Sequence, residues 1–225
     1  MTTPEQVPFG SLEFAENPEP RCACLLLLDV SGSMEGAKIE QLNAGLKHFA
    51  HQLRADSMAA KRVEVAVVIF GPARVAQDFV TADAFVPPTL IADGDTPIGA
   101  AIELALELIS ERKQIYRANG ISYYRPWIFM ISDGDPTDST VAASSRVREG
   151  EAKKSFMFYA VGIENADLAR LATIAVREPL RLKGLSFERM FVWLSESLGS
   201  VSRSQTSDAP SLQNPLAPGG WAVAG

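Results

Sequence analysis

Apolar and polar positions along the chain follow two rhythms. Residues 22–29, CACLLLLD, are apolar without interruption until the closing acid. A strand buried on both faces reads this way, because neither side of its pleat meets water. Further on, Ile39, Leu42, Leu46, Phe49 and Leu53 recur at steps of three and four within 38–54. That spacing lays one apolar stripe along a helix. RVEVAVVIFG (62–71) is rich in β-branched residues and closed by Gly-Pro, which predicts a second strand. RVAQDFV (74–80) follows after a turn too short to cross back over a sheet. It is therefore expected to pair antiparallel with its predecessor, as an edge strand. Ile98, Ala101, Ile102, Ala105 and Ile109 mark a helix starting at Pro97, with Thr96 in the N-cap position.

The alternation continues with a strand at WIFMIS (127–132), a helix over roughly 139–152 and a strand at SFMFYAVGI (155–163). A short helix near 165–175, a strand at 179–184 and a helix at 186–202 complete it. Strands alternating with helices predict an α/β fold: a Rossmann-like, mostly parallel central sheet with helices on both faces and one antiparallel edge strand. The domain is expected to span 21–202, after an extended lead-in over 1–20. The tail, 203–225, is rich in Ser, Pro and Gly, a composition that predicts flexibility, and Trp221 is its natural anchor.

Composition narrows the function classes. With 225 residues, 47% hydrophobic and 21% charged, the chain suits one soluble α/β domain. No apolar run approaches the roughly 20 residues of a membrane helix. The start, MTTPEQVPFGSLEF, has neither the basic opening nor the apolar core of a secretory signal. The two cysteines, Cys22 and Cys24, give no disulfide framework and read as small buried hydrophobes. A cytoplasmic protein is the expectation. The net charge of −6 and scattered basic residues predict neither a nucleic-acid footprint nor a membrane surface.

The chemistry lies at the strand ends. Ligands of open parallel sheets sit outside the carboxyl ends of the strands, and Asp29 and Asp133 both fall there. In LLLLDVSGSM (25–34), Asp29, Ser31 and Ser33 alternate, so a loop leaving the strand can turn all three toward one point. GDTPIG (94–99) adds Thr96, and SDGDPTD (132–138) adds Asp133. The five are hard oxygen donors, suited to Mg²⁺, Mn²⁺ or Ca²⁺ rather than zinc or copper. Two carboxylates only neutralise a divalent ion, leaving it able to accept one more. A plainer reading makes the same residues turn formers and helix caps. An enzymatic alternative makes Asp29 the nucleophile of a Mg²⁺-dependent phosphohydrolase, as in haloacid-dehalogenase-like phosphatases. Those want a second Asp two residues on, where this chain has Ser31, and the only histidines, His48 and His51, lie well inside the first helix. A third alternative is a structural α/β subunit whose site is unused. Tyr123, Tyr124 and Trp127 are either an aromatic recognition surface beside the metal or packing residues.

In order and placement, the three motif pieces resemble the metal-ion-dependent adhesion site of von Willebrand factor type A domains. LLLLDVSGSM, GDTPIGAAI and YYRPWIFMISDGDPTD are especially similar to the TerY-like branch of bacterial tellurite-resistance and stress-response proteins. The resemblance covers about 22–200. It implies a divalent ion held through the hydroxyls of Ser31, Ser33 and Thr96, with Asp29 and Asp133 acting directly or through water. It also implies a partner protein that supplies an acidic side chain to the ion. The resulting expectation is a Mg²⁺-binding adaptor that is not an enzyme.

Overall fold

The structure, a computed structural model, describes residue 14 and residues 16–206 and 212–223. Strand β1 (Cys22–Asp29) runs through the centre with every residue buried. It is followed by helices α1 (Ala37–Ala55) and α2 (Ser57–Arg62), then strands β2 (Val63–Phe70) and β3 (Arg74–Thr81). Helix α3 (Ile98–Ala118), β4 (Trp127–Ser132), α4 (Val141–Ala152) and β5 (Met157–Gly162) come next. The chain finishes with α5 (Leu168–Ile174), β6 (Leu180–Leu182), α6 (Phe187–Arg203) and β7 (Ala222–Val223).

The strands form one sheet in the order β3-β2-β1-β4-β5-β6-β7. The pairs from β2 to β6 are parallel, while β3 runs antiparallel to β2 at one edge and β7 antiparallel to β6 at the other. The unbroken apolar run of β1 has a direct cause, since its two alternating sets enter two different cores. Cys22, Cys24, Leu26 and Leu28 pack with Leu46 and Phe49 of α1 and Phe191 of α6. Ala23, Leu25 and Leu27 pack with Ile102 and Ile109 of α3 and Val147 of α4. Burial, then the charge of Glu64, pushes the Cys22 thiol up to about 12, so both cysteines act as hydrophobes.

At the foot of the sheet, below the N-terminal ends of the parallel strands, Glu64 is fully buried. Its carboxylate accepts from Arg21 Nε at 2.9 Å and from Arg112 Nε at 2.7 Å, and Tyr116 donates its hydroxyl to it as well. A lone buried carboxylate would be untenable; two guanidinium groups and a phenol make this one stable. The aromatic segment, read as either a recognition surface or packing residues, lies at this end too. Tyr124 Oη donates to the Ser204 carbonyl at 2.5 Å, Tyr123 stacks on Tyr116, and Trp127 stacks on Tyr159. The six residues of β4 separate these rings from Asp133 by about 20 Å. They are packing residues, not neighbours of the strand-end site.

Two further expectations need correction, and one helix was not foreseen. Thr96 does not cap α3: the N–H groups of Gly99 and Ala100 donate to Asp138, at 2.9 and 2.8 Å, from the loop after β4. A short helix, α2, follows α1 directly, capped by Asp56 through the N–H groups of Met58 and Ala59. The tail over 212–223 is docked rather than loose. Trp221 is buried against Trp193 and Phe129, Trp193 Nε1 donates to the Gln213 carbonyl at 2.8 Å, and Ala222 pairs with Leu182. Residues 1–13 and 15 of the lead-in lie outside the described residues. No described helix is long and apolar enough to cross a membrane.

Candidate metal centre

From β1 the chain passes outward to β2 and β3, then returns across the sheet to β4 on the other side of β1. The ends of β1 and β4 therefore flank the switch point, where side chains from both halves of the fold meet. Asp29 closes β1 and is fully buried. Its Oδ1 accepts the Ser31 amide at 2.9 Å and the Ser31 hydroxyl at 2.6 Å, and its Oδ2 accepts the Ser132 hydroxyl at 2.6 Å. Burial raises the carboxyl above its usual range; the Ser132 and Ser31 bonds work against that, and the charge of Asp133 adds to it.

The neighbouring loops are knitted to this one. Gly32 N donates to Gly94 O at 3.0 Å, and Asp93 N donates to Val30 O at 2.7 Å. The approach is close enough that a Cβ on Gly71 (φ +141°) would lie 2.5 Å from the Asp93 carbonyl oxygen. Thr96, itself buried, is fixed by the loop after β4: its N–H donates to Thr137 Oγ1 at 3.2 Å and its carbonyl accepts the Thr137 N–H at 3.0 Å. A Cβ placed on Gly134 would lie 3.5 Å from Thr96 Oγ1 and 3.8 Å from Ser33 Oγ, so both hydroxyls border the same space.

The five expected residues come together. Ser31 Oγ lies 3.0 Å from Ser33 Oγ, and Ser33 Oγ donates to Asp133 Oδ1 at 2.6 Å. With both carboxylates ionised, the chain Asp29–Ser31–Ser33–Asp133 has three short oxygen–oxygen contacts and two hydroxyl hydrogens to fill them. If each serine serves its own carboxylate, the contact between the serines has no proton, and lone pairs face each other. A cation relieves that arrangement, as does a proton on Asp29. The 3.0 Å separation is also the edge of an octahedron with metal–oxygen bonds of about 2.1 Å, the Mg²⁺ distance. The donor set therefore fits a small hard divalent ion. Among the described residues, no cluster of three or more His, Cys, Asp or Glu offers a softer or more anionic site.

Three contributors escaped the sequence reading. Ser132 holds Asp29 from the strand next door. Lys38, at the start of α1, sets Nζ 2.5 Å from Asp133 Oδ2 and 3.2 Å from Glu164 Oε2. Burial pulls Lys38 down, but Asp133 and then Glu164 outweigh it and hold the ammonium above its ordinary value. Ser132 immediately precedes Asp133 in sequence, a signal that was available; nothing local pointed to Lys38 or Glu164. Of the rim acids, Asp138 is the α3 cap, Asp135 pairs with Arg170 at 3.8 Å, and Glu35, Asp93 and Asp95 are exposed. His48 faces Glu188 across α1 and α6, away from the centre, and His51 is exposed. Asp208, a tail acid, lies outside the described residues.

Comparison with known proteins agrees with this fold. A family model described as von Willebrand factor type A domain matches residues 25–188. No curated protein matches the chain. Among solved structures, the pilus adhesin SpaC of Lactobacillus rhamnosus GG superposes with a TM-score of 0.64 at 12% identity, covering 82% of this chain and 31% of that one. The vWF domain of the type V pili tip protein Mfa5 from Porphyromonas gingivalis gives 0.60 at 11% identity, covering 83% of this chain and 98% of that one. Proximal thread matrix protein 1 from the mussel byssus gives 0.56 at 16%, covering 81% and 49%. The chain thus spans about a third of SpaC and half of the byssus protein. At these identities the likeness is one of fold.

Proposed function

The chain belongs to the von Willebrand factor type A family, and on that premise we propose that it is a divalent-cation-dependent protein-binding module. Asp29, Ser31, Ser33, Thr96 and Asp133 would hold the ion, Mg²⁺ by preference and Mn²⁺ or Ca²⁺ as substitutes. The observation that carries this reading is the convergence of hard oxygen donors at one strand-end point, with Ser31 Oγ 3.0 Å from Ser33 Oγ and Ser33 Oγ 2.6 Å from Asp133 Oδ1. When bound, the ion supplies Lewis acidity toward one further carboxylate. The chain's residues leave it that appetite, because its charge is met by two carboxylates and the hydroxyls add none. The partner is accordingly a protein presenting an acidic side chain. Thr96, released from capping duty by Asp138, is available as a ligand.

A role as a cytoplasmic adaptor in a bacterial stress-response or tellurite-resistance system extends this reading. Its support is the similarity of the three motif segments to the TerY-like branch. The non-enzymatic role is supported by Ser31, which stands in the place of a dehalogenase acid, and by His48, which faces Glu188 rather than Asp29. Calorimetric titration of Mg²⁺, Mn²⁺ and Ca²⁺ into chelator-treated protein tests the proposal. One saturable ion is expected, lost in Asp133→Ala, with Mg²⁺-dependent capture of a partner abolished by EDTA. Failure of the wild type to bind any of the three ions would overturn it.

A further inference from the structure

The divalent ion is not the only cation with a claim on Asp133. Lys38 Nζ lies 2.5 Å from Asp133 Oδ2, 3.1 Å from the Ser33 carbonyl and 3.2 Å from Glu164 Oε2. The side chain of Asp133 is only 2% exposed, so its partners are the groups around it rather than water. Lys38 is the second residue of α1, so its backbone is fixed by the helix, while four methylenes let the ammonium move between acceptors. Glu164 is 41% exposed along its side chain and can serve as an acceptor or stand hydrated. Its backbone is left-handed, φ +48°, a conformation that a non-glycine residue adopts at some energetic cost. Arg181 bonds to its carbonyl and fixes it there. The strained turn after β5 thus holds a second carboxylate beside Lys38.

We propose that Lys38 is a tethered cation that competes with the divalent ion for Asp133, and that Glu164 is the acceptor that draws it away; this rests on the metal-binding reading above. Two like charges meeting at one carboxylate oppose each other strongly where water is scarce. An ion bound beside Lys38 shares Asp29 and Asp133 with a third positive charge, and with Glu164 counted the group is neutral rather than anionic, so an incoming carboxylate meets no net repulsion. Lys38 in this way keeps the ion weakly held by the domain alone and couples its retention to the partner's carboxylate. Glu164 sets how strongly, because every moment the ammonium spends on Glu164 frees Asp133.

The test is Mg²⁺ and Mn²⁺ titration, by calorimetry, of wild type, Lys38→Met, Glu164→Gln and the double variant, with circular dichroism and thermal unfolding to establish that each is folded. Lys38→Met is expected to bind the ion about tenfold more tightly and Glu164→Gln about threefold more weakly. In the Lys38→Met background, Glu164→Gln should be silent, since it acts only through the ammonium. Unchanged or weaker ion binding in folded Lys38→Met would overturn the competition. A Glu164→Gln effect that persisted without Lys38 would overturn the drawing-off role. Absence of ion binding in the wild type and in every variant would instead bring down the metal reading itself.

Discussion

Asp29 is the residue at which folding and the proposed function pull apart. Its carboxyl is raised by burial, which means the ionised form opposes folding. For an acid with a raised folded pKa, the stabilising contribution is complete below its unfolded value, about 3.9, and is lost as pH rises through the folded one. In EDTA at pH 7, Asp29→Asn is therefore expected to be more stable than the wild type, with the gap closing as pH falls below about 4. Mg²⁺ should reverse the order by stabilising only the wild type. Thermal unfolding across that range with and without Mg²⁺ decides it, and a variant less stable in EDTA at pH 7 would refute the burial argument. Asp29, Ser31 and Ser33 were legible in the sequence because their convergence depends on one loop alone. Lys38 was not, since it reaches the centre only through the entry of α1, and Ser132, though flagged by its adjacency to Asp133, reaches Asp29 only through the β1–β4 pairing. Nothing in their own segments encodes those distances.

Helix ends carry the same distinction. Asp56 caps the helix that follows it, while Asp138 caps α3 from a position 39 residues beyond Gly99. Loss of either cap is expected to cost about 1 kcal/mol in unfolding free energy. Only Asp138→Ala should also weaken Mg²⁺ binding, because its loop fixes Thr96 through Thr137; equal Mg²⁺ affinity in the two variants would separate cap from site. Burial pushes Asp56 up, but the Ala59 amide, Arg203 and the Met58 amide outweigh it and lower its pKa. Its contribution holds above the ordinary carboxyl value and fades as pH falls through the lowered one, so the Asp56→Ala deficit should shrink in acid. The long helices and buried strands were readable from periodicity. The assignment of Thr96 as a cap failed because a Thr before a helix is the default acceptor only where no better one arrives from elsewhere. The six residues of α2 are too few to show a period.

At the scale of the whole molecule, the two sheet edges differ in origin. Strand β3 belongs to a hairpin and was foreseen from its short turn; β7 comes from a segment whose prolines and glycines read as loose chain. Composition is a local property, whereas the docking of Trp221 depends on Trp193 and Phe129 at distant positions. Trp221→Ala is expected to lose about 3–5 kcal/mol in urea unfolding; a loss under 1 kcal/mol would show the tail to be an ornament of the fold. The last consequence concerns α3, which joins the candidate metal centre at one end to the buried Glu64 at the other. Its 21 residues span about 31 Å. Sliding it along its axis would break the Arg112 and Tyr116 bonds to Glu64, and parting a buried charge pair costs about 3–5 kcal/mol. Tilting it about that foot leaves those bonds in place. Any displacement at the Thr96 end is therefore expected to turn α3 about Glu64 rather than to slide it along its axis.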